Sequence, residues 1–303
     1  MSQSKINNLL SQLEQVLIGK PQQIKLALAC ILAKGHLLIE DLPGMGKTSL
    51  SYGLASSLGM SYQRVQFTSD MLPADLLGVS IFDNSSQTFT FHKGPLFNQM
   101  LLADEINRAS PKTQSALLEA MAERQITQDG HTYPLPEPFF VIATQNPVDQ
   151  SGTFPLPESQ LDRFMMRVSI GYPNEQAELT MLKTYLHGSN RLELSAILTP
   201  TALLELQTQV TQVSASDAVL KYLLALVEAS RQQQQGSGLS PRASIALLQA
   251  AKAWAFMDER NYLVPEDIQA VFTAVAEHRI RGASALQGRS LSETILTQVN
   301  PIR

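Results

Sequence analysis

The stretch Leu37-Leu38-Ile39-Glu40-Asp41-Leu42-Pro43-Gly44-Met45-Gly46-Lys47-Thr48 is an apolar strand running into a glycine loop, with a helix after it. A bound triphosphate needs backbone N–H groups turned towards its oxygens, which small residues at Gly44 and Gly46 permit, and it needs the positive N-terminus of a helix. It also needs a lysine that reaches the β- and γ-phosphates and a hydroxyl on Mg2+. Lys47 and Thr48 fill those roles. The strict G-x-x-x-x-G-K-[ST] pattern is not met, because Asp41 stands where the first glycine would be. A Gly-Lys-Thr run also arises by chance in surface turns, so the rest of the chain has to supply the other parts of such a site.

Bulk properties narrow the field. At 303 residues the chain exceeds a single core, so two domains are expected. Apolar residues are 44% and charged residues 17%, an ordinary globular balance. The net charge is −4 with no basic block, so attraction to nucleic acid is not built into the surface as a whole. The only cysteine, Cys30, lies in an apolar run and reads as a small buried hydrophobe. There is no signal-peptide pattern and no run near the ~20 apolar residues of a membrane span. A cytoplasmic protein is expected.

Along the chain, Ile6, Leu9, Leu10, Leu13, Val16 and Leu17 recur at helical spacing, and a second helix starts at Pro21. The loop leads into a helix from Thr48 to Leu58, then a short strand over Tyr62 to Phe67. Val79–Phe82 and Thr88–Phe91 read as one hairpin, and Gln125–Pro136 as another turning at Asp129-Gly130. Each is either a functional insertion or a surface excursion, and length does not choose. Met100–Ala103 and Phe139–Ala143 are unbroken apolar runs of the kind found in central parallel strands. Alternation of strands and helices argues for a doubly wound α/β core. Past Gly171-Tyr172-Pro173 the strand signals fade, and helices are expected over 175–186, 199–209, 217–231, 241–257 and 265–277. The boundary falls near residue 190, giving an α/β domain over 1–190 and an all-helical domain over 191–303.

Asp104 and Glu105 end the first apolar run. Mg2+ wants a carboxylate near the loop hydroxyl, which suits Asp104, and an attacking water wants a second one to orient and deprotonate it, which suits Glu105. Asn146, in Thr144-Gln145-Asn146-Pro147, ends the neighbouring strand and is placed to hydrogen-bond that water or the γ-phosphate. Taken alone it is a turn signal. A guanidinium from a neighbouring subunit stabilises charge on a transferring phosphoryl group, and Arg163 in Leu161-Asp162-Arg163-Phe164 is the best candidate. Arg242, in Ser240-Pro241-Arg242-Ala243, starts a helix of the second domain, from which it would reach across to the phosphates. Either arginine by itself reads as a surface ion pair.

Together these residues resemble the MoxR family of AAA+ ATPases. The resemblance is carried by the loop, by Leu101-Leu102-Ala103-Asp104-Glu105-Ile106-Asn107-Arg108-Ala109 with Pro111–Met121, by Ala143–Pro147, by Leu161–Phe164 and by Ser240–Ala243. It implies a P-loop AAA+ core with a helical lid, a Walker A motif over 41–48 and a Walker B motif at Leu101–Glu105. It further implies a sensor 1 at Asn146, an arginine finger at Arg163 and a sensor 2 at Arg242. Ile18 and Gly19 would lie by the adenine, with Asp41, Pro43, Met45 and Ser49 completing the ATP contacts and Thr48 and Asp104 holding Mg2+. The two hairpins would be the helix-2 insert and the pre-sensor-1 hairpin, facing a central pore and a protein client. A hexameric ring is implied, with ATP between the core and the lid, chaperone-like work in complex maturation or cofactor insertion, and a partner bearing a von Willebrand factor A domain. Alternatives are a nucleic-acid remodelling ATPase, a nucleotide switch with negligible turnover, which Glu105 argues against, and the motor subunit of a metal chelatase. His36, His92 and His131 lack ligands at metal spacing. Trp254 and Phe256 read as core. His278-Arg279-Ile280-Arg281 reads as a helix end favoured by its dipole.

Overall fold

The computed structural model describes residues 2–85, 87–146, 152–186, 194–233, 237–281 and 290–301. Helices α1 (Ser2–Val16) and α2 (Pro21–Leu32) precede strand β1 (Leu37–Glu40), the glycine loop and α3 (Lys47–Ser57). Next come β2 (Tyr62–Gln66), α4 (Pro73–Leu77), the hairpin β3 (Gly78–Asp83) and β4 (Thr88–Lys93), β5 (Met100–Asp104) and α5 (Pro111–Glu123). The second hairpin, β6 (Gln125–Gln128) and β7 (His131–Pro134), leads to β8 (Phe140–Gln145), the short α6 (Glu158–Leu161) and β9 (Met166–Val168). The remainder is helical: α7 (Glu175–Leu186), α8 (Pro200–Thr211), α9 (Asp217–Arg231), α10 (Pro241–Met257), α11 (Pro265–Arg281) and α12 (Leu291–Gln298).

Five strands form one parallel sheet in the order β2-β5-β8-β1-β9. Because side chains alternate across a strand, each central strand feeds both faces. Met100, Leu102, Phe140, Ile142, Leu37 and Ile39 join one apolar cluster, and Leu101, Ala103, Val141, Ala143 and Leu38 join the other. The first cluster packs on α1, α2 and α3 and runs on through α2 into the C-terminal helices, taking in Leu203, Leu247, Phe272 and Ile295. The second is closed by α5 through Leu117, Leu118 and Met121. This is the α/β core with a helical lid that the sequence leads one to expect.

Several helices start by one device, a hydroxyl that caps the first turn and a proline at its first position. Ser110 accepts from the Thr113 amide, Thr199 from that of Ala202 and Ser240 from that of Ala243. Two elements were not expected from the sequence: the edge strand β9 and the helix α12. The boundary expected near residue 190 falls outside the described residues.

Candidate functional site

All five strands of the sheet run the same way, so their carboxyl ends share one edge, the place where open α/β sheets bind ligands. Glu40-Asp41, Gln66, Asp104-Glu105 and Gln145-Asn146 are brought together there. A cavity of about 360 Å³ opens between the loop and β5, lined by Pro43, Gly44, Gly46, Lys47, Thr48, Ser49, Asp104 and Glu105, with Arg64 and Gln66 of β2 on its far wall. Gly44 and Gly46 have φ of 83° and 91°, a left-handed backbone that glycine adopts without strain. At Gly46 a Cβ would also lie 2.7 Å from the end of the Leu17 side chain, just past α1, which would have to shift to admit it.

Lys47 Nζ donates to the Asp41 carbonyl at 2.6 Å and stands 3.4 Å from that of Gln145. Burial pulls its pKa down, opposed by the carboxylates of Asp104, Asp41, Glu105 and Glu40. The Asp41 carboxylate turns the other way. Its Oδ2 accepts from the amides of Ile170 at 2.6 Å and Gly171 at 2.7 Å and from Ser169 Oγ at 3.2 Å, tying the loop to the chain that leaves β9. Asp41 thus enters the site through its backbone, and its side chain is a clamp.

Asp104 is buried, with Oδ1 accepting from Thr144 Oγ1 at 2.6 Å. Its other oxygen is held by Arg64, which donates from Nη2 at 2.6 Å and Nε at 3.1 Å. Glu105 has φ 56° and ψ 50°, left-handed for a residue with a side chain, which costs about 1–2 kcal/mol. Its amide donates to Thr144 Oγ1 at 2.8 Å, and its carboxylate takes a 2.8 Å bond from Gln66 and an ion pair with Arg108 at 3.2 Å. Arg64 and Gln66 carry no local signal beyond their place as alternate residues of a strand that pairs with β5.

A second cavity, about 190 Å³, adjoins the loop. Leu17, Ile18, Met45, Ile170 and Met181 give it apolar walls, and Gly44, Gly46 and Ser49 belong to both cavities. Its apolar lining suits a flat heterocycle. Gly19 lies against Ala177 of α7 beside it.

Arg163 and Arg242 are together, but elsewhere. They share a cavity of about 460 Å³ with Lys34, His36, Arg124 and Arg279, and no residue lines both this cavity and the loop's. Its floor is Gly35-His36, which precedes β1, and Met165, which precedes β9, so it opens at the amino edge of the sheet. Arg163 donates from Nη1 to the Leu118 carbonyl at 2.8 Å, and the exposed Arg242 stands 3.9 Å from Asp162. Within one chain Arg242 does not reach across to the loop: the loop lies at the carboxyl edge, and the start of α10 at the other. Asn146 follows β8 beside β1 at the carboxyl edge, as its position after an apolar run requires. Cys30 is fully buried and its thiol pushed up by that burial, an inert group. Trp254 is half-buried, with Lys25 over its ring at 4.1 Å.

A family model described as "ATPase family associated with various cellular activities" matches residues 36–166, and one described as "AAA lid domain" matches 228–299. Chaperone MoxR1 of Mycobacterium tuberculosis is 37% identical over 279 residues, covering 89% of this chain and 74% of that protein. The chain belongs to the MoxR family of AAA+ ATPases. A further relative, the uncharacterized protein YeaC of Bacillus subtilis, is 46% identical over 271 residues, 88% of this chain and 84% of its own. The crystal structure of a Cytophaga hutchinsonii protein provisionally assigned as an ATPase superimposes with a TM-score of 0.89 at 38% identity, covering 98% of this chain and 95% of that one. This MoxR-family chain is an ATPase, and none of its described helices is long and apolar enough to cross a membrane.

Proposed function

We propose that this MoxR-family ATPase works as a closed ring whose nucleotide sites are shared between neighbouring copies, and that it spends ATP on chaperone-like remodelling of a protein client. The observation that carries this reading is the separation of its parts. The loop and both carboxylates gather at the carboxyl edge, while Arg163 and Arg242 lie at the amino edge, a span of roughly 13 Å away along the four residues of β1. A head-to-tail contact sets the amino edge of one copy against the carboxyl edge of the next, and such contacts close into a ring when the rotation permits. The family resemblance implies six members.

In this reading Gly44, Gly46 and Lys47 hold the phosphates, with Pro43, Met45 and Ser49 around them and Ile18 and Gly19 beside the base. Thr48 and Asp104 offer the cavity hard oxygen donors of the kind Mg2+ takes, and a phosphate-bound cation needs only one or two carboxylates. Bound Mg2+ would neutralise phosphate charge. Glu105 orients and deprotonates the attacking water, Asn146 steadies it, and Arg163 of the neighbouring copy stabilises the charge that develops. Arg242 reports the state of that nucleotide to its own lid.

The division between core and lid near residue 190 falls between the two matched family segments. The client surface is the β3–β4 hairpin, where Val79, Ile81, Phe82 and Phe89 are exposed. Exposed apolar groups suit an unfolded or partly folded protein, and the M. tuberculosis relative is called a chaperone. A partner with a von Willebrand factor A domain and a cytoplasmic location follow from the resemblance and from the single, buried cysteine. The test is the ATPase rate per subunit against protein concentration, with assembly size followed by light scattering. The rate should rise with assembly, Glu105→Gln should abolish it, and Arg163→Ala should cut it by about a thousandfold in intact rings. A monomer that hydrolyses as fast as the assembly, or an Arg163→Ala ring of undiminished rate, overturns the shared site.

A further inference from the structure

The lid grips the segment that carries Arg163, and one residue makes most of the grip. Arg279 on α11 is buried, and its guanidinium is fully engaged. Nε donates to Asp162 Oδ1 at 2.7 Å, Nη1 to the Met165 carbonyl at 3.0 Å, and Nη2 to the carbonyls of Phe164 at 2.7 Å and Asp162 at 3.2 Å. A further bond, from Nη1, goes to the Val275 carbonyl in its own helix. The four bonds that leave the helix therefore end on both sides of Arg163. Neighbouring His278 adds a 3.1 Å contact from Nε2 to the Phe164 carbonyl. Ser240, which caps α10, donates from Oγ to Asp162 Oδ2 at 3.3 Å.

Burying a cation is costly unless it is paired and its donors are all used. A planar guanidinium fixes the directions of the groups it binds, which a lysine in its place would not do. Arginines at helix ends commonly bond their own last carbonyls, whereas four of the five bonds of this one go to another segment. We propose that Arg279 is the positioning residue of the Arg163 finger, so that the placement of the lid in one copy is written into the active site of the next. The proposal rests on the shared-site reading above. Within one copy the lid contacts the base of the finger, and the finger serves the neighbour's phosphates. A displacement of α11 therefore reaches the next site without passing through the lid's own nucleotide.

The test separates a finger defect from a pocket defect by mixing subunits. Arg279→Gln subunits keep an intact pocket and lose finger placement, whereas Glu105→Gln subunits lose the pocket's chemistry and keep the finger. Alone, Arg279→Gln should bind a fluorescent ATP analogue like wild type and turn over about a hundredfold more slowly, the effect of moving a catalytic group by about an ångström. Mixed in equal amounts with Glu105→Gln, it should recover to about a quarter of the wild-type rate per subunit, the share of random interfaces that pair a good pocket with a good finger. Arg163→Ala mixed with Glu105→Gln is the control for the shared site itself. If that control recovers and the folded Arg279→Gln does not, the positioning role is wrong and the shared site stands. If the control fails, both fall. Loss of nucleotide binding, or an unchanged rate in Arg279→Gln alone, also overturns the proposal. Should Arg279→Gln not fold, Asp162→Asn, which keeps the shape of Arg279's ionic partner, must show the same recovery on mixing.

Discussion

Restoring the missing glycine at position 41 would remove the carboxylate oxygen that the Ile170 and Gly171 amides share with the Ser169 hydroxyl. Two amides would then lose their acceptor, that of Ile170 in a buried position, where an unsatisfied donor costs about 1–3 kcal/mol. Asp41→Gly is therefore expected to destabilise the protein by about 2 kcal/mol, although it restores the generic pattern. A thermal melt should show a Tm lower by about 5 °C, with Asp41→Asn, which keeps an acceptor, closer to wild type. Arg64 acts on the same site from the opposite wall. Its two bonds engage Asp104 Oδ2, so a cation bound at Asp104 as proposed would compete with them for that carboxylate. The arginine is half-exposed, which limits such a pair to about 0.2–1 kcal/mol. Arg64→Gln should accordingly lower the Mg2+ concentration needed for half-maximal binding of a fluorescent ATP analogue, by up to about fivefold. An unchanged or higher requirement would mean that Arg64 helps the bound state instead.

At the scale of elements, the two hairpins are joined by a stack of Phe91 on Tyr133, with ring centroids 4.3 Å apart and planes 19° from parallel. An aromatic pair of this kind contributes about 0.5–1.5 kcal/mol beyond its buried area. Tyr133→Ala should loosen the β3–β4 hairpin, and chymotrypsin should cut at Phe82 and Phe89 about fivefold faster while the sheet stays intact. The hairpins were legible because alternating strands around polar turns leave a local signal, and so were the central strands and most helices. Strand β9 was not: three residues carry no alternation, and their partner is β1, well over a hundred residues earlier. The sequence led to the carboxylates and the loop through their spacing, but Arg64 depends on which strand lies next to β5, a fact of topology. Arg279 had a signal that the dipole reading passed over. It stands in phase with Ile268, Phe272 and Val275, on the apolar face of α11, where a charge has to have a partner. The placement of Arg242 at the amino edge had none, because its helix and the loop are separate stretches of chain with no local pattern to relate them.

For the whole molecule, one apolar cluster runs from the sheet through α2 into the lid, so core and lid are expected to unfold together, and two buried histidines are expected to contribute to their acid limit. His36 is buried against Phe139 and Phe140, and its Nδ1 accepts the Val141 amide at 3.0 Å, which requires the neutral ring. Burial lowers its pKa to about 4, with Arg124 adding to the effect. His278 is pushed well below its ordinary value, first by burial and then by Arg279 and Arg167. Both folded values lie below that of the unfolded chain, near 6.5, so the unfolded state takes up protons first as the pH falls. The stabilisation is complete above pH 6.5 and is lost as the pH drops through the folded values. For His36 alone the loss amounts to about 3 kcal/mol by pH 4. His278 protonates beside the guanidinium that holds the Arg163 segment, and its Nδ1 has no hydrogen-bond partner among the described residues to receive the new proton. Tm is thus expected to hold above pH 7 and fall steeply between pH 6.5 and 4. His36→Asn, which can still accept from Val141, should be less stable at pH 7.5 and should fall less steeply below pH 6.5. Parallel falls in the two proteins would assign the acid limb to other groups.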